Sequence, residues 1–118
     1  MIENRGVEIE LDKPRKFRYD FNAIADLEDK AGCGIAKFLS EEKAGISTIR
    51  LLTWAGLKWQ DKGMTIERAG SIVQRYIEDG GILETLSSFI GVALKMSGVL
   101  GDGKEEDTEG NQTAEAVN

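Results

Sequence analysis

The chain has no histidine, one cysteine and one proline, and only 7% of its 118 residues are aromatic. Without imidazole it lacks the commonest general base near neutral pH and the commonest metal ligand. Cys33 has no second cysteine to pair with, so no disulfide forms within the chain. Stability must come from packing, as in a reducing cytosol. No G-x-S-x-G, H-E-x-x-H or Walker pattern is present, and Gly32-Cys33-Gly34-Ile35-Ala36-Lys37 lacks the spacing of a phosphate loop. The expectation is therefore a protein that is no enzyme and carries no cofactor and no metal. Excess positive charge is missing too. The formal net charge is −6, and from Asp102 onward six acids stand against Lys104 alone, which leaves the body almost neutral. Such a body offers no electrostatic footprint for nucleic acid. Long apolar runs are absent. Ile82 to Leu100 is broken by Glu84, Ser87, Ser88, Lys95 and Ser97, so no membrane span is expected. Ile2 to Leu11 is broken by Glu3, Arg5, Glu8 and Glu10 and does not read as a signal peptide; a cytoplasmic location is expected.

What is present is organised around Ile46 to Asp61. At ~100° per residue, Ile49, Leu51, Leu52, Trp54, Ala55, Gly56 and Trp59 form an apolar arc of roughly 220°, interrupted only by Lys58. A surface helix needs a stripe of only ~100°, so this one must be wrapped by several neighbours. Ile46 and Leu57 fall on the opposite side, near Arg50, Thr53 and Gln60, and read as surplus apolar surface for a partner.

The rest predicts a mostly α fold: a small four-helix domain over residues 1–100 with an N-terminal β-hairpin, and a disordered acidic tail over 101–118. Val7, Ile9 and Leu11 alternate with acids, and the alternation resumes as Phe17, Tyr19 and Phe21 after a turn at Asp12-Lys13-Pro14-Arg15. This predicts a hairpin over 6–21, with all six apolar residues on the helices. Helices follow at about 22–31, 47–61, 65–79 and 82–97, capped by Asn22, by Ser47 or Thr48, and by Thr65, with Gly32, Gly63 and Gly98 past their ends. A short helical turn is expected at Ile35 to Leu39. Asp26, Glu28 and Asp29, interleaved with Lys30, read as a solvated face. Ala69 and Gly70 are expected to approach Ala55 and Gly56. Beyond Gly98, glycines and acids cannot bury enough surface to offset the entropy of ordering.

The stretch LLTWAGLKWQDKGMTIERAGSIVQRYI, with RYDFNAIADLEDKAG before it, resembles the tail assembly chaperones of long-tailed bacteriophages, prophages and gene transfer agents. The likeness spans Lys16 to Gly98 and consists of helix lengths and apolar positions around the W-A-G-L core. It implies a non-enzymatic protein of the bacterial host cytoplasm that binds the tape measure protein while the tail tube polymerises. It also implies a longer, frameshifted product that recruits the tail tube protein. A long client implies many copies and hence a homo-oligomer. Ile46, Trp54, Leu57, Trp59, Phe89, Ile90 and Met96 are the expected partner-binding residues. The alternative is a helix-turn-helix regulator built from Thr65–Ile77 and Leu83–Met96. Its second helix would open Ile82-Leu83-Glu84-Thr85, where a reader of DNA exposes Arg, Lys, Asn or Gln.

Overall fold

A computed structural model describes residues 6–40 and 45–99, without the side chains of residues 39 and 40. Among these residues the chain forms a two-stranded antiparallel hairpin followed by five helices, so the fold is mostly α, as expected. The acidic tail expected at 101–118 lies outside the described residues.

Strands β1 (Val7–Glu10) and β2 (Pro14–Phe17) pair in the register Val7 with Phe17 and Ile9 with Arg15. Pro14 opens β2 and does not sit in the turn, a place where its missing N–H costs no ladder bond. Arg15 is buried, and its guanidinium donates to both carboxylate oxygens of Asp12, at 2.7 and 3.0 Å. Those bonds hold the Asp12 carboxyl below the usual carboxylate range. Asp61 lies 3.8 Å from Arg15 and 3.0 Å from Arg68, so one ion-pair network ties the hairpin turn to the following helices.

The hairpin face is buried through Leu11, Phe17 and Tyr19, whereas Phe21 is 75% exposed and corrects the expectation that it faces the helices. The chain turns two residues earlier than expected: Asp20, not Asn22, is the N-cap, with Oδ1 accepting from the Ala23 N–H at 2.8 Å. Phe21 thereby becomes the first residue of α1 (Phe21–Ala31) and points out of the strand pattern. Gly32, at φ +77°, ends α1 in the left-handed conformation that glycine tolerates best. The acidic face of α1 is less solvated than its composition suggests. Glu28 accepts the Ile35 N–H at the start of α2 (Ile35–Ser40), and Asp26 pairs with Lys58.

Helix α3 (Ile46–Leu57) is the centre of the fold and contacts α1, β2, α4 (Ile66–Glu78) and α5 (Leu83–Met96). It begins at Gly45 without a side-chain cap, not at Ser47 or Thr48, and ends at Leu57, not Asp61. Every residue from Leu52 to Leu57 is buried, so for well over one turn no flank is solvated. The wrapping inferred from the apolar arc is therefore complete, and it also encloses Thr53 and Leu57 on the far side. Helix α4 packs on α3 as the small residues Ala69, Gly70, Ala55 and Gly56 led us to expect, but the two glycines meet other groups: Gly56 meets Phe17 and Tyr19, and Gly70 meets Arg50. Thr65 caps α4 as expected, accepting the Arg68 N–H at 3.0 Å.

Thr53 is fully buried, and its hydroxyl has no hydrogen-bond partner among the described residues. A buried polar group left unpaired costs ~1–3 kcal/mol, and valine keeps the branched shape without the hydroxyl. Thr53→Val is expected to raise stability by about 1 kcal/mol. The measurement is a higher urea midpoint at unchanged slope.

Candidate functional site

The main packing partner of α4 is α3, which leaves a flank of α4 uncovered. Between this flank, the first turns of α3 and the start of α5 runs a groove of ≈ 410 Å³. Its apolar lining comes from Ile46, Ile49, Val73, Ile77 and Leu83, and Arg50, Glu67 and Gln74 bring polar groups to it. Ile46 and Ile77 are 70% and 41% exposed, whereas Ile49 and Val73 belong to the core cluster. Gly70 lines the same groove, where a Cβ would sit 3.0 Å from Arg50 Cδ, so the arginine stem lies close over the α4 backbone. An apolar floor with separated charges at the edge suits the hydrophobic face of an amphipathic helix.

The seven residues expected to bind partners separate into four groups. Ile46 lies at the groove. Trp54, Leu57 and Ile90 are core residues, 8%, 0% and 2% exposed, and cannot meet a partner while the chain is folded. Leu57 reverses the expectation most sharply, because the side of α3 assumed to face solvent is itself covered. Trp59 is half-buried: its Nε1–H donates to the Lys16 carbonyl at 3.0 Å and Arg18 lies 5.4 Å over its ring. It thereby covers a backbone acceptor of β2 and buttresses the hairpin. Phe89 and Met96 lie on α5, half-buried and 38% exposed, away from the groove lining.

The sequence reading missed Ile77, Ile82 and Val92, which are 41%, 60% and 50% exposed. Ile77 follows the apolar period of α4, and nothing in that period says how far the stripe is covered. Ile82 could have been found by extending the seven-residue spacing of Phe89 and Met96, and Val92 by the step of three that lies between them. Elsewhere, burial pushes the Tyr19 phenol well above its ordinary range, and its hydroxyl donates to the Leu52 carbonyl at 2.6 Å. Among the described residues no helix is long and apolar enough to cross a membrane, and no three or more Cys, Asp or Glu side chains gather as metal ligands. No protein-family model, curated protein or solved structure matches this chain.

Proposed function

We propose that this protein is an assembly chaperone of the long-tailed phage type, acting in the host cytoplasm by non-covalent binding. Its client is the tape measure protein, whose apolar helical stretches it shields from water while the tail tube polymerises. The observation that carries this reading is the exposed Ile46 at the mouth of an apolar groove, beside exposed Ile77. Several copies coat one client, and a longer frameshifted product recruits the tail tube protein. The acidic residues after Gly101 keep the loaded complex soluble by charge repulsion. A helix-turn-helix reading draws no support from α5, whose first turn offers Leu83 and Glu84 where base-reading side chains belong.

Co-expression with the tape measure protein of the same genome tests the proposal. The wild-type chain is expected to keep the client soluble and to co-purify with it. Ile46→Asp places a charge in the groove and is expected to weaken retention by about tenfold or more, because an isoleucine contact worth ~2 kcal/mol is replaced by a desolvated carboxylate. Its melting temperature should not change, since Ile46 is exposed. An insoluble client with the wild-type chain overturns the proposal.

A further inference from the structure

The groove leaves the outer side of α5 unaccounted for. Ile82 at the N-cap, then Thr85, Phe89, Val92 and Met96, recur at alternating steps of three and four, the spacing of a helix that packs lengthwise against another. The adjoining side of α5, formed by Leu86, Ile90, Ala93 and Leu94, is buried, so the stripe runs along the edge of the packed face. Along the outer stripe Ile82, Val92 and Met96 are 60%, 50% and 38% exposed, and half-buried Phe89 stands outside the core cluster. Ser88 beside it is small and exposed, so a second helix can come close.

Charge selects the occupant. Glu84 and Lys95 are exposed and have no ion-pair partner among the described residues. They stand almost symmetrically about Phe89, five residues before it and six after. A second copy laid antiparallel, with a two-fold axis near Phe89, sets Ile82 against Met96 of the other copy and Glu84 against its Lys95. A parallel copy would oppose like charges at both ends. The hairpin edge is a poorer meeting place, because β1 exposes Glu8 and Glu10 and an antiparallel copy would place carboxylate against carboxylate.

We propose that α5 is a homodimer seam, in which two copies pair antiparallel through Ile82, Phe89, Val92 and Met96 and are locked in direction by two Glu84–Lys95 pairs. The interface is isologous and closes at two copies, leaving both client grooves on separate faces of the molecule. This deepens the self-association in the function proposed above and rests on it.

Sedimentation velocity on the full chain tests the seam. The wild type is expected to dimerise. Lys95→Glu and Glu84→Lys each convert two attractive contacts into two repulsive ones and should weaken the dimer by about tenfold. Combining them restores both pairs with reversed sign, and the double variant should regain wild-type association. In a Cys33→Ser background, Phe89→Cys places one thiol of each copy near the axis, and oxidation should give a covalent dimer. Ile46→Asp should leave the dimer intact, so failure of pairing and failure of client binding are read separately. A wild type that stays monomeric at its highest soluble concentration overturns the seam. So does a dimer that both single charge variants leave unweakened.

Discussion

Gly56→Ala is expected to destabilise the protein by about 3 kcal/mol, although alanine ordinarily favours a helix interior over glycine by about 1 kcal/mol. A Cβ at this position would lie 2.7 Å from Phe17 Cδ1 and from Tyr19 Cζ and its hydroxyl oxygen. Neither ring can give way. Phe17 and Tyr19 are 0% and 1% exposed and stacked with centroids 6.4 Å apart, and the Tyr19 hydroxyl is tied to the Leu52 carbonyl. The Gly56 carbonyl also accepts the Arg18 N–H at 2.9 Å, so the backbone is held against the hairpin from the same side. Relief requires lifting the hairpin off α3, which would strand a buried phenol as well as loosen the rings. Gly70→Ala is the control. Its Cβ would meet only the Arg50 stem, whose exposed end can swing away, so the variant is expected to be neutral or slightly stabilising. Urea midpoints for the two variants give the comparison.

This contrast marks how far the fold is legible in the sequence. Local chemistry was readable: alternation in Val7, Ile9 and Leu11, the Thr65 cap, and the glycine that ends α1 all follow from rules that act within a few residues. Phe21 was misplaced because Asp20 and Asn22 are both good caps, and choosing the first moves the start of α1 by two residues and turns Phe21 outward. Small residues on adjacent helices suggest each other, so Ala69 and Gly70 pointed to Ala55 and Gly56, while the aromatic rings that fill the space at Gly56 come from the end of the hairpin, some forty residues away. Part of the candidate site was visible in Ile46. Its other walls, Val73, Ile77 and Leu83, become a groove only once α4 is laid on α3.

Leu57 carries the same lesson into a measurable effect. A helical wheel assigns inside and outside by assuming that one flank meets water, and on that assumption Leu57 was free surface beside Arg50 and Gln60. Here the flank does not exist, since residues 52 to 57 are enclosed all round and Leu57 is 0% exposed within the core cluster. Leu57→Ala is therefore expected to cost about 4 kcal/mol, the lost transfer energy plus that of the cavity left in a core held on every side. A domain of this size has roughly 5–15 kcal/mol of total stability, so the variant should unfold at a much lower urea concentration. If Leu57 instead met the client, the midpoint would hold and binding would fall. Measuring both on the fraction that remains folded separates the outcomes: a large loss of stability with unchanged client retention per folded molecule places Leu57 in the core, leaving Ile46 as the apolar α3 side chain exposed at the groove.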